Sequence, residues 1–168
     1  MEWEKLQKGS LKFNVHGAAR GCPRPAGVRG ILRDSSGEVK VIFSKSIGTA
    51  DSNLAEILEI REAFLIFLAL QWREHQQLII ESDSSNAVKW TTGVSIAPWK
   101  MRKWLLQMER MKKGLFGWEI RHVLREANQR ADTLAKGVLL QADIVTALSG
   151  GVCLLFLCSF SLAGLVVL

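Results

Sequence analysis

Residues 53–71 (NLAEILEIREAFLIFLALQ) constrain the fold of this chain more than any other stretch. Leu54, Ile57, Leu58, Phe64, Leu65 and Leu68 recur at three- and four-residue steps, the spacing of one helical face. Ile60, Ala63, Phe67 and Ala69 widen that face, so the helix is expected to be buried on most sides. Asp51 or Ser52 is placed to cap its start, where a side-chain oxygen can accept from a free first-turn N–H. Glu56 is out of keeping with so apolar a segment, because an ionised carboxylate there is costly unless something positive meets it. It either offsets the positive helix N-terminus or ligates a metal, and the rest of the chain must separate these two readings.

The length of 168 residues suits one domain with a substantial core. A net charge of +6 and a pI near 9.5 make nucleic acid or an anionic membrane surface the candidate partners. The three cysteines, Cys22, Cys153 and Cys158, have no metal-ligand spacing and are odd in number. They argue against a zinc site or a disulfide framework and for a reducing compartment. The charged start MEWEKLQKGS has no apolar signal core, so an intracellular protein (nucleus or cytoplasm), not a secreted one, is expected. A monomer is expected as well.

Charge is unevenly spread: no charged residue follows Asp143. The expected organisation is a lead-in at 1–10, a folded domain at 11–140 and an apolar tail at 144–168. Residues 11–17 (LKFNVHG) alternate as a half-buried strand, and 17–27 read as a Gly/Pro loop. Residues 28–34 and 39–47 read as two more strands around the turn SSGE, which implies an antiparallel meander. After the central helix, 77–82 (QLIIES) suits a strand buried on both faces. A helix at 84–90, a loop at 91–98, a basic amphipathic helix at 98–113 and a fifth strand at 118–123 follow. Asn128 reads as the N-cap of a last helix over 129–140. The order β-β-β-α-β-α-α-β-α predicts an α/β fold, a mixed five-stranded sheet flanked by helices.

Three acids stand out by position: Glu56 at a helix start, Asp83 just past a buried strand, and Asp132 in the first turn of the last helix. A strand end and two helix starts can meet at one sheet edge, where clustered carboxylates suit a hard cation such as Mg²⁺. Taken singly, each is more often a cap or a solvated charge. Mutual repulsion without metal predicts a raised pKa for at least one of the three.

The blocks NVHGAARGCPRPAGVRGILRDSSGE, NLAEILEIREAF, IIESDSSNAVKW and REANQRADTLAK resemble, in order and spacing, the ribonuclease H type 1 domain. The subgroup they are most similar to is the plant, reverse-transcriptase-associated one of non-LTR retrotransposons. The resemblance covers about residues 11–136. It implies a ribonuclease H-like fold, an RNA–DNA hybrid as partner, and endonucleolytic hydrolysis of the RNA strand with two Mg²⁺ ions held by four carboxylates. It assigns the second, third and fourth carboxylates to Glu56, Asp83 and Asp132. It places Asn53 at the hybrid's minor groove and the backbone of Gly17 and Ala18 near the RNA 2′-OH.

The first carboxylate is missing: where the family has N-x-Asp-Gly-Ala, this chain has Asn14-Val15-His16-Gly17-Ala18. An imidazole nitrogen has one lone pair, cannot bridge two ions as a carboxylate does, and favours softer metals such as Mn²⁺ over Mg²⁺. Weakened metal binding and severely impaired hydrolysis are therefore expected, with the fold and hybrid-binding surface kept. His16 is read as an accident in a decaying element copy. The loop REANQ lacks the histidine that many relatives carry there, and His122, in WEIRHV, reads as structural. Glu59, one turn beyond Glu56, is expected to lie too far along the axis to replace the lost ligand.

Arg20, Arg24 and Arg29 lie in and after the first loop, while Lys100, Arg102, Lys103, Arg110, Lys112 and Lys113 stud the 98–113 helix. They read equally as a solvated basic face and as a phosphate-tracking surface, with Arg20, Lys100 and Lys103 the chosen substrate contacts. Trp99 and Trp104, interleaved there, are expected to turn to the core. The tail IVTALSGGVCLLFLCSFSLAGLVVL, at about 1.5 Å per helical residue, would span a roughly 30 Å hydrocarbon core. It reads as an extension from adjacent non-coding sequence or as a membrane anchor, the former favoured. The anchor reading carries the alternative function, a membrane-tethered non-catalytic interaction protein.

Overall fold

Alternation along the first strand sorts the whole molecule into two faces. In β1 (Ser10–Ala19), Leu11, Phe13 and Val15 join the main core, while Lys12 and Asn14 meet Glu81 across the opposite face. The computed structural model of the chain describes residues 6–19, 24–70, 74–128, 144–149 and 152–157. Strand β2 (Arg24–Arg33) turns into β3 (Val39–Ala50) at Asp34, whose Oδ1 accepts from the Ser36 and Glu38 N–H groups at 2.9 and 3.0 Å. Gly37 supplies the positive φ (86°) that this turn requires.

Helix α1 (Ser52–Ala69) begins at Asp51, whose side chain accepts from Leu54 N at 2.8 Å. Ile57, Ile60, Ala63, Phe64 and Phe67 are buried against the sheet, but Leu58 and Ile66 are buried as well. The helix is therefore enclosed nearly all round, with β1 and β2 on one side and α3 (Arg102–Lys112) on another. Strand β4 (Gln77–Ser82) runs parallel to β1, and β5 (Gly117–His122) runs parallel to β4. Helix α2 (Ser85–Thr92), N-capped by Ser84, and the short turns Val94–Ile96 and Trp99–Met101 lie between β4 and α3.

The order β5-β4-β1-β2-β3 is the expected mixed five-stranded sheet, and two further strands extend it. Strand β6 (Ile144–Ser149) pairs antiparallel with β3, and β7 (Val152–Leu157) pairs antiparallel with β6. The tail was expected as a helical span, yet its described parts form this hairpin. No described helix is long and apolar enough to cross a membrane.

Several sequence-based boundaries move. Residues 17–19 and 24–27, expected in a loop, are strand, because β1 and β2 stay in register from Lys12↔Arg33 to Ala19↔Ala26. The 98–113 helix divides into a 3₁₀ turn and α3. Residues 125–128 are themselves helical, so Asn128 is not a cap outside a helix, and the expected helix at 129–140 lies outside the described residues. Asn128 is buried instead, and its Nδ2 donates to the Val15 carbonyl at 2.8 Å, docking this helical turn on β1.

Candidate active site

The C-terminal ends of the parallel neighbours β1 and β4 open at one edge of the sheet, a common place for a site in sheets of this kind. His16, near the end of β1, stands with Nδ1 3.7 Å from Oδ2 of Asp83, which follows β4. Both side chains are only 14% exposed. Arg125, in the helical turn at 125–128, brings Nε to 3.6 Å from the same Asp83 oxygen. Arg29, paired with His16 across β2, shares its face of the sheet. His16 and then Arg125 hold the Asp83 carboxyl below the usual carboxylate range, outweighing its partial burial.

Glu56 enters from the first turns of α1. Its Oε2 accepts from Ser84 Oγ at 2.5 Å, and Ser84 also caps α2 by accepting from Ala87 N. One serine thus ties the start of α1 to the residue after Asp83. A buried polar layer lies beside them: Asn14 Nδ2 donates to Glu81 Oε2 at 2.7 Å, and Lys12 Nζ sits 3.1 Å from Glu81 Oε1. The sequence reading missed this layer, Arg125, Ser84 and its neighbour Ser82. The serines' only signal was their position either side of Asp83.

Glu59 is fully buried on the other face. Its Oε1 accepts from Ser82 Oγ at 2.5 Å, and Oε2 has no hydrogen bond of good geometry. A Cβ on Gly17 would come within 2.8 Å of that Oε2 and 2.9 Å of the Ala55 backbone, so only glycine lets α1 approach β1 this closely. Burial, with smaller contributions from Asp83 and Glu56, pushes the Glu59 carboxyl up to about 8, against the Ser82 bond and a weak effect of the Gly17 N–H. The raised carboxyl is thus Glu59, whereas Asp83, one of the three expected to repel one another, is lowered.

The structure brings His16 and Asp83 together with Glu56 adjoining; Asp132 lies outside the described residues. Among the described residues no three histidine, cysteine or carboxylate side chains form a metal-ligand set. With His16 against Asp83 in place of a bridging carboxylate, the described donors do not fit a pair of Mg²⁺ ions.

Asn53 is half-buried in the first turn of α1, at this same end, and the Gly17 and Ala18 backbone belongs to β1. Lys100 Nζ pairs with Asp51 Oδ2 at 3.0 Å, joining the Trp99–Met101 turn to the start of α1. Lys103 lies over the Trp104 ring at 4.4 Å, and Arg61 lies over the same ring at 5.2 Å. Trp99 is 84% exposed, contrary to the expected core position, because the buried neighbour Met101 takes the inward place in its turn. Lys112 leaves the expected basic face: it is buried, donating to the Thr91 carbonyl and to Glu109. Arg20 lies outside the described residues, and His122 is exposed at the end of β5.

A family described as reverse transcriptase-like matches residues 14–138. Ribonuclease HI of Halobacterium salinarum is 30% identical over 139 residues, covering 78% of this chain. The chain spans 65% of that relative's length. The crystal structure of RNase H1 from the same archaeon aligns at a TM-score of 0.67 and 28% identity, over 75% of this chain and 94% of that one. LC11-RNase H1, solved in complex with an RNA/DNA hybrid, aligns at a TM-score of 0.67 and 23% identity, over 74% and 93%, a likeness of fold alone.

Proposed function

This chain belongs to the reverse transcriptase-like family and has the ribonuclease H type 1 fold, and from that premise we propose that it binds RNA–DNA hybrids and hydrolyses them poorly. The observation that carries this reading is the His16–Asp83 contact at 3.7 Å, at the sheet edge where the family motif has a carboxylate. A carboxylate there would add negative charge for cations to neutralise. His16 and Arg125 instead stand against Asp83 from within the protein. Binding asks less of this edge. Asn53, the Gly17–Ala18 backbone, Lys100 and Lys103 meet the hybrid, and the +6 net charge supplies a sequence-independent attraction to phosphates.

The domain is of retrotransposon type, a reading supported by the four motifs in order. Mg²⁺, or Mn²⁺ in its place, would be held by Glu56, Asp83 and Asp132, weakly without the first carboxylate. Pairing of β6 with β3 favours the tail as a sheet extension over a membrane tether.

The test is binding of a labelled RNA–DNA hybrid by the full chain across a salt series. Affinity is expected to fall by tenfold or more between about 50 and 200 mM salt, as phosphate contacts release counterions. Binding that does not change with salt, or none at low salt, would refute the proposal.

A further inference from the structure

We propose that Trp99 is a stacking platform for an unpaired base next to the bound duplex, so that the domain prefers a hybrid flanked by single strand. This rests on the hybrid-binding reading above and adds to it a site for single-stranded nucleic acid. Trp99 is 84% exposed, more than any other exposed large hydrophobic among the described residues. Its backbone is nonetheless held in place. Met101 N donates to the Pro98 carbonyl at 2.9 Å, Met101 is buried, and Lys100 is paired with Asp51 at 3.0 Å. A large aromatic side chain on a turn whose backbone is held has few torsions left to fix on binding, which keeps the entropy cost low.

The surroundings select the ligand. Lys100, Arg102 and Lys103 follow directly and all are exposed, which suits a polyanion. Asp51, to which the turn is tied, caps the same helix that carries Asn53 and Glu56. Glu56 lies five positions after Asp51 in sequence, about 7.5 Å of helical rise. The turn that carries the platform is therefore joined directly to the start of the helix that bears Glu56. Bases inside a duplex already stack on one another and offer no free face. An exposed indole among cations therefore fits an unpaired base, and every base has such a face.

The experiment compares a blunt RNA–DNA hybrid with the same hybrid carrying a short single-stranded DNA extension. Dissociation constants and tryptophan fluorescence are read for the full native chain, Trp99→Ala, Trp99→Phe and Arg102→Gln. The native chain is expected to favour the extended hybrid by about tenfold, with quenching beyond that given by the blunt one. Trp99→Ala should abolish both the preference and the extra quenching while leaving the slope of affinity against salt unchanged, since an indole releases no counterions. Trp99→Phe should keep part of the preference, and Arg102→Gln should keep it while lowering the salt slope by about one. Blunt-hybrid binding with no preference for the extension, or a preference that survives Trp99→Ala, overturns the inference and leaves the hybrid-binding reading intact. Failure to bind either hybrid overturns both.

Discussion

Glu59 carries the clearest pH signature in the molecule. Its folded pKa of about 8 lies above the ordinary glutamate value because burial favours the neutral acid. The folded state therefore holds a proton that the unfolded chain has already lost above about pH 4.5. Its contribution to stability is complete below that value and is lost as pH rises through about 8. Glu59→Gln should therefore be more stable than the native chain by on the order of a few kcal/mol at pH 8, with the gain vanishing near pH 4. Denaturant melts at both pH values check this, and a variant destabilised equally at both would show that Glu59 is needed as an acid. Asp83 behaves oppositely: its lowered pKa contributes stability that is lost only as pH falls below the usual carboxylate range. Sequence legibility was uneven at this scale. Glu56, Asp83 and the His16 departure could be read from motif order, whereas the burial of Glu59 depends on Gly17 letting α1 close on β1. No spacing rule reports that approach.

Among the elements, α1 was legible almost to its ends, since periodic apolar residues and a capping aspartate mark it locally. Asp51 has two roles, accepting from Leu54 N and pairing with Lys100. Asp51→Ala should cost about 1 kcal/mol, and Asp51→Asn, which keeps the capping oxygen, only a few tenths. Urea midpoints would separate them, and equal losses would assign the effect to the ion pair instead of the cap. Asn128 was misread as a cap because, although a strong capping residue by type, it is used for a tertiary hydrogen bond to Val15. Residues 144–149 and 152–157 of the tail were misread as helical for a different reason: a continuous apolar run has no period that separates strand from helix. Its strand form follows from the β3 edge, whose backbone groups offer a ladder to Ile144–Ser149.

For the whole molecule, the sheet order follows from short antiparallel connections and two longer parallel crossovers, which is why the architecture was legible when several boundaries were not. The nearness of His16, Glu56 and Asp83 was readable as a set of positions, but not what surrounds Asp83. Only the fold shows Asp83 facing both His16 and Arg125. That arrangement carries the central proposal, a hybrid-binding domain whose hydrolysis is impaired at one residue. The direct measurement is turnover of a labelled RNA–DNA hybrid with Mg²⁺ by the native chain, by His16→Asp, and by His16→Asp combined with Asp83→Asn. If the missing carboxylate costs about 4 kcal/mol of transition-state stabilisation, His16→Asp should exceed the native rate by on the order of a thousandfold. Adding Asp83→Asn should remove that gain. Native turnover equal to that of His16→Asp, or a His16→Asp variant that binds the hybrid and still does not cleave it, would contradict the account.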